Sequence, residues 1–121
     1  MSVKKISKQA LDKIIGGKVR EQATCVIKFY SNTCDLCHNL QEYYQAISEK
    51  EEYSDIHFFA FNIEDDPMIE KMLGFNGVPT ITLLKVGGPR KRIRILQDPD
   101  QPHKLTWYRS NDISAFIDRE R

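Results

Sequence analysis

The 121-residue chain is predicted to be an α/β protein, a three-layer sandwich in which helices cover both faces of a central mixed sheet. Apolar runs of strand length alternate with segments whose apolar residues recur at helical spacing. Two of the strand runs are too continuously apolar for a sheet with one face in water. The predicted order is βαβαβαββα, and the length fits a single domain spanning residues 1–121.

The chain begins with a short edge strand predicted at 3–6. Ser7 is a typical N-cap for the next segment, whose apolar residues recur at helical spacing until the glycine pair at 16–17. The run at 23–30 is β-branched and aromatic, which favours a strand buried on both faces.

A second helix is predicted after this strand, with Asn32 or Thr33 as its N-cap. Its apolar residues follow helical spacing: Leu36, Leu40, Tyr43, Tyr44 and Ile47. The run at 56–63 then has the length and composition of another buried strand.

The third helix is predicted to start at Asp66-Pro67, an acceptor at N-cap followed by proline at the first helical position. Its apolar face is predicted to be Met68, Ile69, Met72 and Leu73, and Gly74 is a plausible C-terminal stop. A strand at 80–86 follows.

The stretch from 87 to 104 is long and contains Pro and Asp, which indicates an insertion or irregular loop. Within it, the basic cluster at 90–94 favours a solvated loop or edge strand over a nucleic-acid patch, because no aromatic residues interleave it. A short strand is predicted at 105–108, where Trp107 packs at the sheet edge. Ser110 or Asn111 is predicted to cap the last helix.

Cys34 and Cys37 are separated by two residues at a predicted helix start. Unpaired N–H groups at a helix N-terminus favour a thiolate, so the pair indicates a redox centre. Because residue 38 is His, the string also matches the attachment signature of c-type haem. Met68 and Met72 are explained as helix-face residues rather than haem ligands. A zinc site lacks a second ligand pair, since the third cysteine, Cys25, is predicted to be a small buried apolar residue.

Composition sets limits on location and partners. The net charge of +1 gives no global argument for nucleic acid or an anionic membrane as partner. The N-terminal residues contain no apolar h-region, and no stretch approaches the length of a membrane span. We therefore expect a cytoplasmic protein, where disulfides are usually transient and catalytic.

Four segments in order carry a resemblance to a known family: 26–30, Cys34 to Cys37, 61–67 and 74–80. From about residue 3 to 119 the chain resembles thioredoxin and the redox domains of protein disulfide isomerases. The last segment, Gly-Phe-Asn-Gly-Val-Pro-Thr, is similar to a family segment whose proline is cis and faces the cysteines. The resemblance implies a thioredoxin fold.

The resemblance also implies a thiol–disulfide oxidoreductase of the protein disulfide reductase or isomerase type, working without a bound cofactor. Cys34 would be the nucleophile and Cys37 the resolving cysteine, which together form the redox-active disulfide. Val78, Pro79 and Thr33 would contact substrate, Val78 through its backbone. The implied partners are protein disulfide substrates and an upstream thioredoxin reductase or glutathione system, with the protein acting as a monomer.

Three departures from the family pattern complicate this expectation. Thr33 replaces the usual Trp before the first cysteine, and Asp35 opposes thiolate formation by like charge while lying favourably near the helix N-terminus. Lys28 occupies the position of the family's buried acid, and Ala60 that of its frequent lysine partner. Lys28 is predicted either to tune a cysteine pKa or to reach solvent or a carboxylate. The alternative function is an interaction module whose cysteine pair is vestigial or regulatory.

Overall fold

The computed structural model describes residues 3–88 and 91–121. Residues 1–2, together with Pro89 and Arg90 of the predicted loop and basic cluster, lie outside the described residues. The strands are β1 (Val3–Lys5), β2 (Ala23–Tyr30), β3 (Ile56–Asn62), β4 (Thr80–Val86) and β5 (Arg92–Ile95). The helices are α1 (Lys8–Ile15), α2 (Asp35–Ser48), α3 (Ile69–Leu73) and α4 (Ser110–Glu120).

The five strands form one mixed sheet in the order β1-β3-β2-β4-β5. β1, β3 and β2 run parallel, while β4 and β5 are antiparallel to their neighbours. This arrangement confirms the predicted sandwich with a central mixed sheet and the predicted element order.

The sheet separates two apolar cores. β2 alternates its side chains between them, so Val26 packs with α2 and α4. Cys25, Ile27 and Phe29 pack on the opposite face, with α1 and α3. Burial on both sides explains why β2 is apolar along almost its whole length.

The fifth strand is the largest error in the predicted elements. β5 is Arg92–Ile95, inside the predicted irregular loop, and it pairs with β4. Arginines on one side and isoleucines on the other give it the period-2 pattern of an edge strand. Residues 105–108 form a turn instead, in which Trp107 has a φ of +65°, outside the β region of backbone conformation.

Other boundaries differ less. The structure confirms Ser7 as the N-cap of α1, its Oγ accepting a hydrogen bond from the N–H of Ala10 at 3.1 Å. It also confirms Gly74, in the left-handed conformation, as the stop of α3. α3 is shorter than predicted, because the Asp66 carboxylate caps a turn at Met68 before the helix begins. Met68 and Met72 are exposed rather than part of a buried face.

Candidate active site

One end of the sheet gathers the motifs that the sequence singled out. Phe29 at the end of β2 pairs with Thr80 at the start of the antiparallel β4. The residues that follow β2 and those that precede β4 therefore lie at the same end of the sheet. The first group leads into Cys34, and the second contains Val78 and Pro79.

Cys34 and Cys37 form a disulfide across the first turn of α2, with their Cα atoms 5.2 Å apart. Cys34 is itself the N-cap of the helix, and its Sγ accepts a hydrogen bond from the N–H of Cys37 at 3.0 Å. The prediction of Asn32 or Thr33 as the cap is therefore wrong, because the Cys34 sulfur takes the place of a side-chain oxygen. Cys34 is half-buried, whereas Cys37 is only 1% exposed, so the two sulfurs differ in access to a substrate.

The loop before Cys34 is fixed by two contacts from other elements. The Glu64 carboxylate accepts a hydrogen bond from the N–H of Asn32 at 3.0 Å. The Nε2 atom of His38, on α2, lies 3.0 Å from the carbonyl oxygen of Asn32. Thr33 stands exposed between these anchored residues and Cys34. Sequence reasoning missed Glu64, because nothing local marks a contact between residues 32 positions apart.

The loop before β4 is held in a similar way. The Val78–Pro79 peptide bond is cis. The Glu70 carboxylate accepts a hydrogen bond from the N–H of Gly77 at 2.7 Å, and the Thr80 hydroxyl donates to the carbonyl of Gly77 at 2.7 Å. Val78 is half-buried, and none of the hydrogen bonds made outside the sheet by the described residues involves its backbone. Its backbone is therefore free for another extended chain.

Lys28 is buried, with 6% of its surface exposed. Its ammonium lies 5.6 Å from the ring centre of Tyr30 and 5.4 Å from that of Tyr44. Residues 3–88 and 91–121 give its ammonium no hydrogen-bond acceptor and no carboxylate partner, so the carboxylate-paired alternative is wrong for this part of the chain. The fully buried side-chain nitrogens without a partner do not include Lys28 Nζ, so the ammonium keeps some contact with solvent, as the solvent-reaching alternative expects. Burial, with a smaller contribution from the charge of Lys5, lowers the pKa of Lys28 to about 8.

Lys28 and Cys37 line the same cavity between the sheet and α2, whose volume is about 180 Å³. A lysine with a pKa of about 8 remains mostly protonated at neutral pH. The cavity therefore places a positive charge on the same side of the sheet as the buried sulfur. Cys34 does not line this cavity.

Cys25 lies apart from this site, on the opposite face of β2. It is a free cysteine that is 4% exposed, and burial raises the pKa of its thiol to about 11. Thiolate is the reactive form, so Cys25 is chemically silent at neutral pH. This agrees with its interpretation as a small buried apolar residue.

The described part of the chain contains neither a metal-binding cluster nor a membrane-spanning helix. Between residues 3 and 121, leaving out 89–90, no group of three or more His, Cys, Asp or Glu side chains is placed to hold a metal ion. In the same residues, no helix has the length and apolarity needed to cross a membrane.

Comparison with known proteins gives consistent results. A family model described as "Thioredoxin" matches residues 2–106. A thioredoxin of Borreliella burgdorferi (strain ATCC 35210 / DSM 4680 / CIP 102532 / B31) is 30% identical over 80 residues, which are 65% of this chain and 68% of that protein.

Solved structures share the fold at lower identity. The J-Trx1 fragment of ERdj5 superposes on 98% of this chain with a TM-score of 0.65 and 18% identity, and this chain spans 49% of that fragment's length. A second match is a chain in the structure of a ferredoxin:thioredoxin reductase and thioredoxin f2 complex, with a TM-score of 0.69 and 20% identity. The match covers 98% of this chain and 94% of that one. At these identities the likeness concerns the fold.

Proposed function

We propose that this chain, which belongs to the thioredoxin family, is a protein disulfide reductase that cycles its Cys34–Cys37 pair between dithiol and disulfide. Family membership supports thiol–disulfide redox activity in general. The observation that carries the finer proposal is the difference in burial between two sulfurs that already lie within bonding distance. Cys34 is exposed enough to meet a protein substrate, whereas Cys37 is too buried to do so.

The reaction then has two exchanges. The Cys34 thiolate attacks one sulfur of a substrate disulfide, the other substrate sulfur leaves as a thiolate, and a mixed disulfide forms. Cys37 loses its proton to solvent, and its thiolate attacks the Cys34 sulfur, which releases the second substrate sulfur as a thiolate that takes up a proton from solvent. The substrate gains two electrons, and the chain is left with the Cys34–Cys37 disulfide.

Position at the start of α2 supports Cys34 as the nucleophile. The sulfur accepts a backbone N–H of the first turn, and such donors stabilise a thiolate more than a thiol. Asp35, also in this turn, adds a negative charge that opposes the thiolate. The helix N-terminus and Asp35 therefore act in opposite directions on Cys34.

Val78 is proposed to hold the substrate chain. Its free backbone lies at the same end of the sheet as Cys34, where an extended segment can pair with it as an added strand. Pro79 has no N–H and so donates nothing to a ladder at its own position. Thr33, exposed beside Cys34, offers a hydroxyl and a methyl group in place of a flat aromatic surface, which favours a narrower range of substrates.

Lys28 is proposed to tune Cys37. Its ammonium and the Cys37 side chain share one cavity, and a nearby positive charge favours a thiolate over a thiol. Because the thiolate exists only in the reduced protein, the positive charge stabilises the reduced form and raises the reduction potential. Lys28 acts through Cys37 and is a positioning residue rather than a catalytic one.

Turnover needs an electron donor that restores the dithiol. We propose a thioredoxin reductase or the glutathione system as that donor, a monomer as the working state and the cytoplasm as the location. The solved complex of a ferredoxin:thioredoxin reductase with thioredoxin f2, which matches the fold of this chain, supports a reductase as the donor.

Mixed-disulfide trapping tests the proposal. A Cys25→Ala/Cys37→Ser double variant keeps only the Cys34 thiol, and it should accumulate mixed disulfides with a disulfide-bonded protein such as insulin. A Cys25→Ala/Cys34→Ser variant, which keeps only the buried Cys37, is the matched control and should trap little. If neither variant traps insulin and the unmodified chain fails to reduce it with dithiothreitol, the proposal is wrong and the interaction-module alternative is favoured.

A further inference from the structure

The cavity between the sheet and α2 has a composition that the redox reaction does not explain. Apart from Cys37 and two tyrosines, the polar side chains that line it among the described residues are basic or amide-bearing: Lys5, Lys28, Asn32, His38, Gln41 and Gln45. No carboxylate of residues 3–88 or 91–121 lines it. Its volume of about 180 Å³ is below the roughly 300–1,000 Å³ of pockets that hold drug-sized ligands.

Lys28 is the second observation. More than nine-tenths of its surface is buried, yet the described residues offer its ammonium only the faces of Tyr30 and Tyr44. Contact with an aromatic ring offsets only part of the cost of removing an ammonium from water. The ammonium is not among the fully buried polar atoms without a partner, so it faces the cavity, where the described residues supply no acceptor. An anion that entered the cavity would therefore meet a positive charge that no carboxylate neutralises.

We propose that this cavity is a binding site for a small oxyanion, with Lys28 as its buried partner and Lys5 as a second cation at its mouth. Inorganic phosphate, sulfate and the carboxylate of a small acid share the chemistry that this site recognises, which is a compact negative charge with several acceptor oxygens. The amide group of Gln41 on α2 supplies a further donor, whereas the amide of Gln45 already donates to the Glu49 carboxylate at 2.7 Å. The proximity of the two lysines is also evident in the pKa of Lys28, which the charge of Lys5 lowers.

Bound anion and Cys37 thiolate would compete for the same ammonium, a consequence that rests on the proposed function. The anion should therefore bind the disulfide form more tightly than the dithiol form. Linkage requires that the anion in turn favours the disulfide. Reduction adds two electrons to the Cys34–Cys37 bond and expels the anion, so saturating anion lowers the reduction potential by 29.6 mV for each tenfold difference in affinity.

Titration of the disulfide form tests the site without any redox step. Inorganic phosphate is added at constant ionic strength, and side-chain amide signals of Asn32, Gln41 and Gln45 are followed by NMR. We expect saturating shifts that a Lys28→Met variant weakens by about tenfold or more, the effect of losing one charged hydrogen-bond donor. Lys4→Met is the matched control, because Lys4 is an exposed lysine next to Lys5 and outside the cavity, and it should bind like the unmodified chain.

Separate arms with sulfate and acetate distinguish the oxyanion sources, and saturation by any of the three supports the site. Lys5→Met tests it again if Lys28→Met does not fold, and it should weaken binding severalfold. Chemical shifts that change linearly with phosphate concentration, and by the same amount in the Lys28→Met and Lys4→Met variants, would indicate non-specific binding to exposed lysines. That result would overturn the site.

Measuring the reduction potential with and without phosphate separates this inference from the proposed function. A lower potential in phosphate supports the competition, and an unchanged potential despite saturable binding overturns the competition alone. Saturable binding by a chain that fails to reduce insulin would support the anion site and contradict the proposed reductase.

Discussion

The two faces of β2 carry two buried titratable side chains that the fold treats in different ways. Cys25 lies in the apolar core with α1 and α3. Lys28, three residues later, lies on the face covered by α2 and borders a cavity that Cys37 also lines. The alternation of a strand therefore separates a silent thiol from a reactive disulfide by the thickness of one sheet.

Burial pushes both groups toward their neutral forms, but with opposite consequences. It raises the pKa of Cys25 to about 11 and so suppresses its thiolate. It lowers the pKa of Lys28 only to about 8, which leaves a positive charge at neutral pH. Burial thus inactivates the sealed face of β2, the face of Cys25 that packs on α1 and α3. The cavity face, on which Lys28 lies, keeps a charge that can act on its neighbours.

The largest expected effect comes from removing one cysteine sulfur, either that of Cys34 or that of the buried Cys25. Cys34→Ser should reduce insulin reduction to the level seen without protein, because no other accessible thiolate can start the exchange. Cys25→Ala should retain the activity of the unmodified chain. The rate of insulin precipitation with dithiothreitol measures both, and residual activity of Cys34→Ser above background would mean that another thiol takes part.

The pH dependence of stability should differ in sign between the two groups. Lys28 has a pKa of about 8 in the folded chain against 10.5 unfolded, so between these values the unfolded state binds more protons and stability rises with pH. Cys25 has a pKa of about 11 in the folded chain against 9.0 unfolded. Its contribution to the free energy of unfolding therefore falls between pH 9 and 11. A shift of this size for Lys28 corresponds to about 3 kcal/mol.

Urea unfolding of the disulfide form at pH 7, 8, 9 and 10.5 measures this effect. Lys28→Met should be more stable than the unmodified chain at pH 7, because it removes a buried charge. That advantage should shrink by about 3 kcal/mol by pH 10.5 as the lysine becomes neutral. Lys4→Met should show no such change, and a constant advantage for Lys28→Met would show that Lys28 keeps an ordinary pKa.

The reduction potential should report the cavity face alone. Removing the ammonium in Lys28→Met destabilises the Cys37 thiolate and should make the chain more reducing by roughly 30 mV, which is a tenfold change in the exchange equilibrium. Equilibration with glutathione buffers measures the value, again with Lys4→Met as the control. A potential equal to that of the unmodified chain would contradict an electrostatic role of Lys28.

Local chemistry explains most of what the sequence could predict. The apolar run of β2, the Ser7 cap and the left-handed Gly74 are set by neighbouring residues, and all three were predicted. The fifth strand was misplaced because Arg92–Ile95 is short and charged, while 105–108 is apolar and aromatic but contains the φ of +65° at Trp107. Strand propensity favours residues 105–108, but it is Arg92–Ile95 that pairs with β4 and forms the strand.

The candidate site shows the same limit. The sequence could place Cys34, Cys37 and Pro79, since each belongs to a contiguous motif. It could not find Glu64 and Glu70, whose carboxylates hold the two loops of the site, because these contacts depend on where separate elements meet. It identified Lys28 as anomalous but could not show that its ammonium lies over the rings of Tyr30 and Tyr44 and borders a cavity.

The smallest expected effect comes from the sealed face. Ile27 is fully buried there beside Phe29, and Ile27→Val removes one methylene, which typically costs about 0.5–1.5 kcal/mol. Urea unfolding of the disulfide form should show this loss, while the reduction potential stays that of the unmodified chain, because the side chain points away from the cavity that Cys37 lines. A shift in potential similar to that of Lys28→Met would mean that packing, rather than the charge on the cavity face, sets the redox equilibrium.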